Sequence, residues 1–204
     1  MKESILKDRK LSIISKILII AIWLLLSRLI DNEIIFPTIK GTFFSFIDII
    51  KNPNFLVIIG FSLLRSIIGF IISLLLAIIL GIFSSISKTM YHIMLPITNF
   101  LSSVPTMAII ILALIWLNSE LVPIFVGFIM VFPILYETVL KGILNIDKNI
   151  ISMAEIYKVD KITLIKDIYI PSIFISLSNI FSSALGINLK MVIAGEVYHS
   201  QNMP

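Results

Sequence analysis

The sequence predicts an all-α polytopic membrane protein, and three observations carry that prediction. Of its 204 residues, 58% are hydrophobic and only 14% are charged, against roughly half and a quarter in a soluble domain. The mean hydropathy is +1.09. The apolar residues also gather in runs of the roughly 20 residues needed to cross a bilayer. A soluble fold of this size has too little interior to hide so much Ile, Leu and Phe.

The elements follow in order. Residues 1–10, MKESILKDRK, form a charged N-terminal tail. Leu11 to Ile30 supplies the first span, with Lys16 and Arg28 near its ends, where they snorkel. No small-residue cleavage site follows it, so it reads as a retained span and not a signal peptide. Residues 31–54 are more polar, and their middle, TFFSFIDII, fits an amphipathic helix at the membrane interface. Phe55 to Ile86 is long for one span; Arg65 is expected to divide it, leaving Ser66 to Ser87 as the core. Lys88 and Thr89 are expected to mark a turn. Met90 to Glu120 is broken by Pro96 and Pro105, which predicts a bent or re-entrant entry before a span at about Val104 to Leu117. Leu121 to Leu140 is a fourth span, with Pro133 able to kink it. Lys141 to Asp167 is a polar connection. Ile168 to about Val197 is a fifth span, after which HSQNMP reads as loop.

Basic residues set the predicted orientation. Lys2, Lys7, Arg9, Lys10, Lys16, Lys88, Lys141, Lys148, Lys158, Lys161 and Lys166 fall on one side if the spans alternate. Lys40 and Lys51 fall on the other, offset by Asp31, Glu33, Asp48 and Glu120. The basic side is expected to be cytoplasmic. This places the N-terminus and 141–167 inside and Pro204 outside.

Several function classes are disfavoured. The formal charge of +4 reports topology in such a chain and not nucleic-acid binding. Cysteine is absent, which removes disulfides and thiolate metal sites. His92 and His199 are too few for a histidine metal cluster. No Gly-x-x-x-x-Gly-Lys-Ser/Thr phosphate loop is present, and no nucleophile–base pattern, zinc signature or acid pair is evident. No catalytic residue and no cofactor are expected in this chain.

The segment ISMAEIYKVDKITLIKDIYIP, Ile151 to Pro171, is longer and more charged than a connection between spans requires. Ala154, Tyr157, Ile162, Ile165 and Ile168 recur at helical spacings, with Glu155, Lys158, Lys161 and Asp167 among them. This pattern predicts a short amphipathic helix, a bend near Val159 to Lys161, and a second helix running into the membrane. Two readings fit the pattern: a docking surface for another protein, or an interfacial helix lying on lipid headgroups.

The segment resembles the cytoplasmic coupling loop of ABC importer permeases, whose usual form is Glu-Ala-Ala, three residues, Gly, and a span-opening Pro thirteen residues on. Counting back from Pro171 places the family Gly at Lys158 and the Glu-Ala-Ala at Ser152-Met153-Ala154. Only Ala154 and Pro171 match. Other pieces resemble the nitrate/sulfonate/taurine branch, which also carries thiamine-pyrimidine precursors and riboflavin. Phe36-Pro37 resembles its LPSP segment, and Ser62 to Phe70, SLLRSIIGF, resembles SLLRxxxGF. Val104-Pro105 before an apolar run ending in Trp116 resembles IPPLAxxPLxxxWFG. Phe132-Pro133-Ile134-Leu135 resembles FFPIxxNT, with Glu137 where Asn is common. Val192 to Val197, VIAGEV, resembles VxAEM. Together these cover nearly the whole chain.

The resemblance implies a MetI-like ABC permease bundle with about five spans here. A sixth span is expected but missing, so the chain is expected to be C-terminally truncated. It implies a multi-pass protein of the bacterial inner membrane, pairing with a second permease copy as a homodimer. Two ATP-binding subunits would hold the ATP and Mg, and a substrate-binding protein would deliver a small organic solute or oxyanion. The implied ATPase contacts are Ser152, Ala154, Glu155, Tyr157, Lys158, Lys161 and Pro171. The candidate pathway or gating residues are Arg65, Lys190 and Glu196. Arg65 also reads as a snorkelling anchor, and Lys190 and Glu196, six residues apart, are no ion pair on one helix face. The rival readings are a secondary transporter half, an integral-membrane enzyme, and a non-transporting scaffold.

Overall fold

The computed structural model describes residues 2–30, 32–33, 35–118 and 120–201, and the side chains of these except 2–10, 161 and 199–201. Every regular element among the described residues is a helix: α1 Lys2–Ile30, α2 Ile39–Lys51, α3 Phe55–Ile86, α4 Lys88–Ser103, α5 Thr106–Trp116, α6 Val122–Leu144, α7 Lys148–Ile156, α8 Lys161–Leu164 and α9 Ile170–Gln201. A π-helical turn, Ile165–Tyr169, joins α8 to α9. Residues up to Ile58 and residues from Ile59 onward form two compact units.

In the first unit, α1 begins in the charged N-terminal stretch and continues through the first apolar run, whose side chains are almost all exposed. The Trp23 indole donates to the Pro37 carbonyl at 3.0 Å, and its ring meets Phe36 edge-on. Thr38 caps α2 by accepting from the Gly41 N–H at 3.0 Å, as a helix start with a β-region Thr should. None of the α2 residues is buried, so Phe43, Phe44, Phe46, Ile49 and Ile50 stay open. The predicted interfacial amphipathic helix fits that exposure.

The second unit is held together by small residues. Along α3, Ser66, Gly69, Ser73, Ala77, Gly81 and Ser84 are buried at three- and four-residue spacings, forming one stripe on a helix that is otherwise apolar. That stripe lets α6 approach closely, the packing mode that membrane helices favour. A Cβ on Gly69 would lie 2.9 Å from the Ile124 carbonyl oxygen. Ser73 Oγ donates to Gly69 O at 2.7 Å and to Phe128 O at 3.3 Å. The α6 helix is the most buried element, with Val122, Val126, Val131, Leu135 and Val139 fully enclosed. It packs along α9, where Ser172 Oγ donates to Gly142 O at 2.6 Å. A Cβ on Gly127 would lie 2.6 Å from Asn188 Oδ1. Asn188 itself is fully buried and donates from Nδ2 to Ser66 O at 2.6 Å and Ser66 Oγ at 2.8 Å, tying α9 to α3.

Among the described residues, four helical stretches are long and apolar enough to cross a membrane: Leu11–Ile30, Phe55–Ile86, Val122–Leu144 and Ile162–Tyr198, the last made of α8, the π turn and α9. The α4–α5 pair bends by 100° and makes up to a fifth, as a broken span or a re-entrant loop. The predicted bent entry at Pro105 is therefore found. Its cause is that a residue before proline is pushed to extended backbone, and Val104 is extended at φ −72°, ψ 129°.

The structure corrects several boundaries. Arg65 does not divide Phe55 to Ile86, which is one continuous helix of 32 residues. Lys88 and Thr89 are not a turn but the first residues of α4, which Ser87 caps. Pro96 lies inside α4 without ending it. Val104 to Leu117 is no span by itself: α5 has 11 residues, about 16 Å at 1.5 Å per residue, half of a bilayer core. The α6 helix continues past Leu140 to Leu144. His199 to Gln201, expected as loop, extend α9, while the expected loop at 202–204 lies outside the described residues.

Candidate functional site

The predicted coupling segment folds as helix, tight turn, helix. Asp147 caps α7, its Oδ1 accepting from the Asn149 N–H at 2.8 Å. At the other end of α7, the chain reverses through a left-handed residue. Lys158 has φ 52° and is the positive-φ non-glycine residue of the described chain. Its N–H bonds Glu155 O at 3.0 Å, and the next N–H, of Val159, reaches back to Ala154 O at 2.9 Å. These two bonds are the paired C-cap that usually takes glycine at the left-handed position. A non-glycine residue there costs roughly 1–2 kcal/mol. Lys158 occupies the position at which the coupling-loop pattern has its Gly, so the turn keeps the geometry without the residue.

Two residues on, Asp160 starts the next helix. Its carboxylate accepts the Thr163 hydroxyl at 2.6 Å and the N–H groups of Ile162 and Thr163 at 3.1 Å each. The Thr163 hydroxyl, then these backbone donors, hold the Asp160 carboxyl below its ordinary range, because hydrogen bonds favour the ionised form. The following π turn has a cause as well. Pro171 has no N–H for the helical ladder. The ladder widens just before it, and the Ile170 N–H bonds Ile165 O, five residues back.

The predicted contact residues divide by exposure. Ala154 is buried at 8% and anchors α7. Ser152, Glu155, Tyr157, Lys158 and Pro171 are exposed, and Lys161 opens α8 with its side chain outside the described residues. Beside them Met153, Ile156, Val159 and Ile162 are also open, Ile156, Tyr157 and Ile162 at 76% each. Of the apolar residues at helical spacing, Ala154 faces in, while Tyr157 and Ile162 crown the turn.

The second polar site lies toward the far end of α9. Glu196 is 26 residues beyond Ile170, about 39 Å at helical rise. Arg65 Nη1 donates to Glu196 Oε1 at 2.8 Å, and Nη2 donates to Glu120 Oε2 at 2.5 Å. Ser62 Oγ donates to Glu196 Oε2 at 2.5 Å. One guanidinium thus joins α3, the α5–α6 connection and α9. Of the three candidate pathway residues, the structure brings Arg65 and Glu196 together. Lys190 is exposed and takes no part in that cluster. Glu120, Ser62 and Asn188 were missed. The Asp160 cap had a readable signal, an Asp three residues before Thr at a helix start. In the Arg65 cluster, charge within an apolar span singles out Arg65 and Glu196, but nothing local pairs them, the partners of Arg65 being 55 and 131 residues away.

Comparison with known proteins gives one family. The sequence pattern of the binding-protein-dependent transport system inner membrane component matches residues 73–202. No curated protein matches the chain. The matched region contains α4 to α9, including the turn at Lys158 and Glu120 and Glu196 of the polar cluster.

Proposed function

The chain belongs to the family of binding-protein-dependent transport system inner membrane components, and from that premise we propose that it is the permease subunit of an ABC importer for a small organic solute or oxyanion. It is a multi-pass membrane protein and a transport component, and its family implies a substrate-binding protein and an ATPase as partners. The nitrate/sulfonate/taurine branch, inward transport, the cytoplasmic N-terminus and homodimer assembly are part of the proposal.

The observation that supports it best is the open apolar and basic crown at the α7–α8 turn. Ile156, Tyr157, Lys158 and Ile162 stand exposed, yet the turn beneath them is fixed by paired caps. Rigid, solvent-facing apolar groups on a short helix suit insertion into a groove of a partner. ATP binding on the partner moves that groove. The α7 helix follows α6 directly, and α8 continues through the π turn into α9. A push on the turn therefore reaches two spans that are packed on each other, exposing the path alternately to each side.

Purification of the tagged chain in mild detergent tests this reading. A co-purifying subunit that hydrolyses ATP, and whose activity is lost from the complex when residues 154–161 are replaced, is the expected result. A folded chain that brings down no ATPase contradicts it.

A further inference from the structure

A half-open cavity of about 200 Å³ lies between α4 and α6. Each wall is one helix face. Thr98, Asn99 and Ser102 lie on α4 and Glu137 and Lys141 on α6, at the spacings that share a face. Tyr91 and Tyr136 also line it. Thr98 turns its hydroxyl back to Met94 O and Leu95 O. The Asn99 amide and the Ser102 hydroxyl have no partner among the described residues. The Glu137 carboxylate and the Lys141 ammonium are paired at 2.7 Å, both well exposed, so a ligand can part them at little cost.

This lining is not a general property of the bundle. A neighbouring cavity of about 220 Å³ between α4, α5 and α6 is walled by apolar side chains alone, Phe100, Val104 and Trp116 among them. Here the wall carries one negative and one positive charge, with no other charged side chain among the described residues that line it.

We propose that this cavity binds a small zwitterion. Its cationic end takes Glu137 and its anionic end takes Lys141. Asn99 and Ser102 supply hydrogen bonds, and the Tyr91 and Tyr136 rings border the carbon chain. A simple oxyanion on Lys141 leaves the Glu137 carboxylate beside it without a cation, whereas a dipolar solute satisfies both ends, so the charge pattern favours a net-neutral solute. This rests on the permease reading and narrows its substrate class.

The chain has no cysteine, which permits a direct test. The full-length Ser102→Cys variant in permeabilised membrane vesicles is treated with a charged, membrane-impermeant methanethiosulfonate. Labelling is timed alone and with taurine, β-alanine or nitrate. The expected result is labelling that slows at least severalfold with either zwitterion and not with nitrate. Adding Glu137→Gln or Lys141→Met to the same variant should remove the protection while labelling continues. An unreactive Ser102→Cys, protection by nitrate equal to that by the zwitterions, no protection by either zwitterion, or protection that survives both added substitutions would each overturn the proposal. Labelling needs no ATPase, whereas the permease reading stands or falls on the co-purifying ATPase, so the two failures are distinguishable.

Discussion

The turn between α7 and α8 and the polar cluster toward the far end of α9 are built on opposite principles. The Lys158 turn is assembled from residues within a few positions of one another: Ala154, Glu155, Val159, Asp160 and Thr163. In the cluster, Arg65 joins residues 55 and 131 positions away. The first is a local device with an open outer surface. The second is a long-range tie, largely covered, with Arg65 at 23% and Glu196 at 21% side-chain exposure. A surface that receives another protein needs a fixed backbone and free side chains. A tie between spans needs the reverse, side chains engaged with one another and backbone positions set by separate helices.

The largest effect is expected from substitution at Lys158. Lys158→Pro removes the N–H that bonds Glu155 O and forbids a positive φ, at a cost of about 3 kcal/mol to the local turn. The expected outcome is loss of ATPase association with the rest of the bundle still folded, read by co-purification and by helicity in circular dichroism. Arg65→Ala comes next. It leaves Glu196 partly covered without its cation, a loss of about 2 kcal/mol, below the 3–5 kcal/mol seen for fully buried pairs. Thermal unfolding in detergent should show it. Glu120→Gln should cost under about 1 kcal/mol by the same measurement, because Glu120 is 79% exposed and its pair is screened.

Lys158→Gly sharpens the contrast in the other direction. Glycine enters the left-handed region freely, so the turn should gain about 1 kcal/mol and slow the exchange of the Val159 amide. If the Lys158 ammonium contacts the ATPase, coupling should fall even as the turn stiffens.

The smallest effect is the pH response of Asp160. Its pKa is lower in the folded chain than the ordinary 3.8. Its cap therefore contributes fully above that ordinary value and is lost as pH falls through the lower, folded one. Protection of the Ile162 and Thr163 amides should persist below pH 3.8 and then disappear. In Asp160→Asn, which caps without titrating, that pH dependence should be absent.

The same contrast explains what the sequence showed. Composition and run length revealed the all-helical membrane class, because crossing a bilayer imposes length and apolarity on each span separately. The helix–bend–helix at 151–171 was legible because periodicity and capping are local. Boundaries failed where packing overruled local signals. Arg65 was expected to divide a span, but Glu196 and Glu120 neutralise it within one continuous helix. Lys88 and Thr89 read as a turn because they are polar, yet Ser87 is the residue that caps. The inward Ala154 and outward Tyr157 were indistinguishable by period alone, since helical spacing does not say which apolar residues the bundle covers.

In the proposed function, the turn around Tyr157 is the seat of an ATPase. Because the chain has no cysteine, Tyr157→Cys in the assembled transporter can carry one photo-crosslinker. The account predicts a covalent adduct between this chain and the ATP-hydrolysing subunit, with a yield that changes when ATP is added. A stable complex in which Tyr157→Cys captures only lipid or solvent, with and without ATP, would contradict it.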